Sequence, residues 1–203
     1  MFMDRALSFE NHVIHLKKKA FKTLRNIVKI RFLLTKEQTK TIVNSMVVSC
    51  LDYCNGLFYG ISCKLIHQLQ LIQNAAAKAV TRKYKHDHLE NDLKDLHWLH
   101  IKKRIIFKIA LIAFKAVIGQ APVYIQEMFL YSHHGHTVKL IIPAFATKYG
   151  RRSFNYIGPR TLNNLPSSIT SCSTVTQFKK DLKTHLFNMN SFQLDKFWNL
   201  CVF

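Results

Sequence analysis

The stretch SFENHVIHLKKKAFKTLRNIVKIRF, residues 8–32, decides how the chain is to be read. Ala20, Phe21, Leu24, Ile27 and Val28 recur at helical spacing, while Lys18, Lys22, Arg25 and Lys29 recur at steps of four, three and four. At about 100° per residue those four basic side chains fall in one narrow stripe beside the apolar face. One amphipathic, polybasic helix is therefore expected from about Ser8 to Phe32.

Working outward, Thr35 with Gln38 three residues on has the spacing of a capping box. It opens a second helix expected to run through TKTIVNSMVVSCLDYCNGLFYG, 39–60, toward Gly60. Ser62 is placed to cap a third, in which Leu65, Ile66, Leu69, Ile72, Ala76 and Ala79 form the buried stripe. Three consecutive antiparallel helices with short joins make a small bundle. After the polar run TRKYKHDH, 81–88, Asp87 is placed to cap a short helix, with Glu90 at the matching position. A longer helix follows from about Ile101 to Ile118, ended by Gly119 and by Pro122. Apart from a stripe of Arg104, Lys108 and Lys115 it is apolar nearly all round, as the central helix of a second unit would be.

From Leu130 to Pro166 the helical period is lost. Gly135, Pro143, Gly150, Gly158 and Pro159 mark turns there, and HTVKLIIPAFAT, 136–147, is expected to hold a short strand pair. Thr174 with Gln177 opens a last helix edged by Val175, Phe178, Leu182 and Leu186. Beyond Asn190 the tail either frays or docks through Phe192, Phe197 and Trp198. The expected architecture is mainly α. A helical bundle over residues 1–83 is followed by a connector over 84–97, a second helical unit over 98–190 with a small irregular or short-strand region, and a tail over 191–203.

Composition agrees with a packed helical protein, since 48% of residues are hydrophobic against only 6 Gly and 4 Pro. The charge is one-sided: 30 Lys and Arg against 11 Asp and Glu leave a formal net charge of +19. Such an excess favours a polyanionic partner, nucleic acid first and anionic membrane surface second, against the alternative of a merely soluble basic protein. The start MFMDRALSFENH places Asp4, Arg5 and Glu10 where a signal peptide needs an apolar core, so an intracellular protein with reduced cysteines is expected. The most apolar run, IIFKIALIAFKAVIG at 105–119, is too short and too charged to span a bilayer, and no membrane partner is expected.

Several strings, in order, resemble one family. LSFENHV, LRNIVKIRFLLT and LDYCNGLFYGI are similar to the run just after the palm of LINE-type (non-LTR) retrotransposon reverse transcriptases of the Jockey kind. LIHQLQLIQNAAAKAVT, DLHWLHIKKRIIFKIALIAFKAVIGQAPVYI, TKYGRRSFNYIGPRTLNNLPSSI and FKKDLKTHLF continue the likeness, which covers about residues 7–187. The resemblance implies that residues 8–83 correspond to the thumb, the bundle that holds the template and primer duplex, preceded by the end of the palm. Residues 98–190 would be the family's carboxy-terminal extension. It also implies the palm of the parent polymerase as a partner. Where the family usually reads HWLPV, this chain reads HWLHI, with His100 in place of the proline. That change weakens the turn before the long helix without abolishing it.

Nucleotide addition by this class uses two metal ions held by carboxylates that include two adjacent aspartates. No two acids are adjacent in this chain, and the family's catalytic residues would lie upstream of its first residue. The expectation is a fragment with no transfer site, no cofactor and no metal. The one acid cluster, Asp87, Glu90, Asp92 and Asp95, has the spacing of a helix cap and solvated first turns.

Other constellations are weighed the same way. Cys50, Cys54 and Cys63 lack the paired spacing of a zinc site and read as small buried apolar residues. His133, His134 and His136 read as a solvated loop before they read as an opportunistic metal site. Asp52 and Tyr53 either contact nucleic acid or fix the bundle through a buried, hydrogen-bonded Asp; the second is favoured because carboxylates repel phosphate. Trp98 is expected to pack between the two units. No Gly-x-Ser-x-Gly elbow and no glycine-rich phosphate loop occurs. Two functions then compete. In the first, the Lys18, Lys22, Arg25 and Lys29 stripe contacts the phosphate backbone of RNA, DNA or their hybrid and reads little sequence. In the second, the helices are an interaction module that only completes the fold of an intact polymerase, leaving exposed the apolar surface that meets the palm.

Overall fold

A computed structural model describes residues 2–84, 87, 89–134 and 137–198, and these are mainly helical. The chain divides into two compact units, Met1–Arg104 and Ile105–Phe203.

In the first unit, helix α1 (Glu10–Ile30) is entered through a side-chain clasp. The Asp4 carboxylate accepts from the Ser8 N–H (2.9 Å), the Ser8 hydroxyl (2.8 Å) and the Phe9 N–H (3.0 Å). These bonds, the Ser8 backbone one first, hold its pKa below the ordinary carboxylate value. The buried edge of α1 is Val13, Leu16, Ala20, Leu24 and Ile27. Phe21 is only half-buried and Val28 is exposed, so two of the five residues that periodicity assigned to the core lie at its flank or outside it. A 3-10 turn (Arg31–Leu33) leads to α2 (Lys36–Val43), where the capping box forms in both directions: Gln38 N–H to Thr35 hydroxyl at 3.2 Å and Thr35 N–H to Gln38 side-chain Oε1 at 2.9 Å.

The second helix does not reach Gly60. It passes through a π-helical turn (Asn44–Val48) into α3 (Ser49–Asp52) and breaks at Tyr53, which is extended, and Cys54, which is left-handed at φ 53°. The Asn55–Gly56 pair that follows favours a turn, and a short 3-10 segment (Asn55–Phe58) replaces the expected helix. Helix α4 (Cys63–Thr81) starts after Ser62 as expected, with the cap bonds made by the Ser62 carbonyl rather than its hydroxyl, and all six residues of the expected stripe are buried. α1 packs against α4 and α2.

The stretch 84–97, read as a connector, is part of the first unit. α5 (Glu90–Asp95) begins after Leu89 with no side-chain cap. Asp87 does not cap it: the Asp87 carboxylate accepts the Tyr84 N–H at 2.7 Å and closes its own turn, three residues ahead of the helix. Asp92 is not solvated either, being buried and paired with Lys83 at 2.7 Å. α5 ends with His97 left-handed at φ 57°, the Trp98 N–H bonded to Leu93 carbonyl (2.8 Å) and the His97 N–H to Lys94 carbonyl (2.9 Å), a Schellman closure with Leu93 and Trp98 both buried.

α6 (Ile101–Val117) crosses the division between units. Its first free N–H, of Ile101, is taken by the Gln70 side chain of α4 at 3.0 Å. Beside it the Gln73 amide, fully buried, donates to the Leu99 carbonyl at 2.7 Å. Further along, Ile105, Ile106, Ile109, Ala110, Ala113 and Phe114 are buried, and Gly119 at φ 73° closes the helix with a second Schellman pair.

In the second unit α7 (Val123–Gln126) precedes an antiparallel hairpin of β1 (Tyr131–His134) and β2 (Thr137–Leu140), register Tyr131 to Leu140. β2 therefore lies within HTVKLIIPAFAT, where the pair was expected, while its partner β1 precedes that stretch. After a 3-10 turn (Gly150–Arg152) comes α8 (Phe154–Asn163), where turns at Gly158 and Pro159 were expected. Gly158 is a close-packing residue: a Cβ there would stand 2.7 Å from the Phe129 ring. α9 (Ser167–Thr170), α10 (Val175–Asn188) and α11 (Ser191–Trp198) complete the unit. The Phe114 and Phe178 rings stack at 3.9 Å, and Phe197 and Trp198 are buried while Phe192 is 74% exposed, so the described part of the tail docks.

Candidate nucleic-acid interface

Lys18, Lys22, Arg25 and Lys29 are all exposed along α1. With the core edge defined by Val13, Leu16, Ala20, Leu24 and Ile27, the basic stripe is diametrically opposite the core rather than beside it. At about 1.5 Å of rise per residue it extends roughly 16 Å. Arg25 hooks its Nε back to the Phe21 carbonyl at 3.4 Å. The ion pairs among the described residues are Lys40–Glu37, Lys83–Asp92 and Arg104–Asp52, none of which draws on the stripe. No acid occurs between Glu10 and Glu37, whereas Lys17, Lys19, Arg31 and Lys36 add to the positive field. The face thus presents fixed, closely spaced cations to water, an arrangement that attracts a polyanion through its backbone charges.

The remaining sequence candidates fall elsewhere. Asp52 accepts from Arg104 Nε at 2.9 Å and from its Nη2, and from the Asn55 amide at 3.3 Å, so it ties α3 to the start of α6 instead of facing a ligand. The Arg104 side chain is 15% exposed, and its pair with Asp52 accounts for this cation being set into the fold. Tyr53 is exposed. Trp98, a residue of the first unit, is buried. The cysteines are not the buried apolar residues expected: Cys50 is half-buried, Cys54 is exposed in the loop after α3, and Cys63 is exposed at the start of α4. Among the described residues no three His, Cys, Asp or Glu side chains come together. The backbones of His133 and His134 belong to β1, while His136 lies outside the described residues. His100 is exposed just ahead of α6, and its pKa is lowered, first by partial loss of hydration beside its neighbours and then by Lys103; Glu90 opposes this.

Periodicity missed three contributors. Arg82, left-handed at φ 58° after α4, donates to the carbonyls of Arg31 (3.1 Å) and Leu34 (2.8 Å), and the turn it holds carries Phe32 and Leu33 outward. Only the cluster IRFLLT, with Phe32 and Leu33 close before the Thr35 cap signal, hinted at this. A cleft of about 490 Å³ in the second unit is lined by Phe114, Leu140, Leu162 and Leu165 with Lys139 at its edge. Its amide, Asn163, is engaged with the N–H and carbonyl of Leu140. No helix among the described residues is long and apolar enough to cross a membrane. Comparisons with protein-family models, curated proteins and solved structures found no match to this chain.

Proposed function

We propose that the chain is the thumb and carboxy-terminal extension of a LINE-type reverse transcriptase and acts as a non-catalytic, sequence-nonspecific nucleic-acid-binding segment. The observation that carries the binding reading is the α1 stripe: four exposed cations on one line, opposite the core and drawn into none of the ion pairs found among the described residues. Phosphate contacts of this kind position a protein on a strand without reading bases. The ordered likeness of residues 7–187 to that family supports the polymerase origin.

A second reading, a module that completes a larger polymerase fold, is favoured by apolar side chains left exposed elsewhere in the first unit. Met46, Tyr53 and Leu57 are each more than half exposed along the segment from the π turn to the 3-10 segment. The two readings differ in outcome. Labelled RNA–DNA hybrids and duplexes of unrelated sequence should bind the chain with similar affinities at low salt, and primed template with nucleotides and Mg²⁺ or Mn²⁺ should give no extension. Absence of binding would favour the module, and reproducible extension above a mock preparation would overturn the non-catalytic assignment.

A further inference from the structure

The 3-10 turn after α1 is pinned from both sides. The Leu34 N–H bonds the Arg31 carbonyl at 3.2 Å, Arg82 bonds the carbonyls of Arg31 and Leu34, and the Thr35 capping box fixes the exit. Between these anchors Phe32 is 73% and Leu33 72% exposed. An aromatic ring held outward on a fixed turn leaves apolar surface in water that a loose loop would fold away. Lys29, Arg31, Lys36 and Arg82 surround the turn in sequence or by contact, against one nearby acid, Glu37, which pairs with Lys40, so an anionic partner is the one that matches the charge around Phe32. An apolar protein patch lacks that charge. A duplex presents phosphates but hides its base faces, whereas an unpaired strand offers both.

We propose that Phe32 is a stacking platform for an unpaired base of a nucleic-acid strand whose phosphates follow the α1 stripe. The inference rests on the nucleic-acid reading of α1. Stacking on an aromatic face tolerates any base, which fits a face with no base-reading groups. Tyr84, two residues beyond Arg82 and 84% exposed, offers a second ring on the segment that braces the turn.

The test compares binding of oligothymidylate of about 20 nucleotides with a charge-matched abasic strand of equal length, by fluorescence anisotropy at several salt concentrations. The full chain should prefer the strand with bases by about tenfold. Phe32→Ala should lose that preference with its salt dependence unchanged, and Phe32→Trp should keep it and show quenching of the new indole on binding. Lys22→Ala/Arg25→Ala should do the reverse, keeping the preference and flattening the salt dependence. A preference that survives in Phe32→Ala, or is absent from the unaltered chain, overturns the stacking platform while leaving the stripe intact. Failure of the unaltered chain to bind either strand overturns both. Phosphatidylserine vesicles that bind more tightly than either strand, and lose binding in Phe32→Ala, would assign the ring to a lipid surface and also overturn the proposal.

Discussion

At the residue scale, two side chains occupy left-handed backbone for opposite reasons. His97 closes α5 at φ 57°, and its place in the Schellman closure needs only its N–H, bonded to the Lys94 carbonyl. Arg82 closes α4 at φ 58° and spends its guanidinium on two carbonyls of the 31–34 turn. His97→Gly should therefore stabilise the protein by about 1 kcal/mol, because glycine adopts this conformation without the Cβ clash. Arg82→Gly should give no gain, the relief being offset by two lost hydrogen bonds of about 1 kcal/mol each. Urea midpoints of the two variants check this; equal gains would mean that the Arg82 bonds contribute nothing. Neither residue was legible as a cap, since the usual signal there is glycine or asparagine and the sequence has neither. Gln73 was equally hidden: an amide on an apolar helix face shows its purpose only when the Leu99 carbonyl arrives beside it.

At the scale of elements, regular periodicity was readable and its interruptions were not. α1, α4, α6 and α10 lie where spacing and caps put them, because each buries a continuous edge that repeats in the sequence. The second helix stopped early because the Asn55–Gly56 turn prevails over the apolar run around it. α8 escaped notice because Gly158 and Pro159 look like punctuation. In the fold that glycine makes room for the Phe129 ring, which is buried and tilted against Phe154 at 5.5 Å. Gly158→Ala should cost about 1–3 kcal/mol through overpacking. Thermal unfolding measures it, and an unchanged midpoint would show that the ring yields without strain. For the candidate interface, the four cations were legible as a stripe. Their place opposite the core was not, because Phe21 and Val28 drew the apolar face toward them.

At the scale of the whole molecule, charge governs both stability and binding. His100 and His185 have pKa values below the ordinary 6.5, His100 through lost hydration and then Lys103, His185 through burial. The unfolded chain therefore binds their protons more readily. The stability that comes from keeping them neutral is complete above about pH 6.5 and is lost as pH falls through the lowered folded values. Urea midpoints should drop between pH 7.5 and 5.5, and His185→Gln should shrink the drop; a midpoint constant across that range would contradict these environments. The central claim is that the α1 stripe neutralises phosphates. Each contact releases counterions, giving a slope of log affinity against log salt of about −0.9 per phosphate on duplex DNA. RNA–DNA hybrid binding measured across a salt series for the chain and for Lys22→Ala/Arg25→Ala tests it most directly. The account predicts that the double variant flattens the slope by roughly 2, equally for unrelated sequences; an unchanged slope would contradict it.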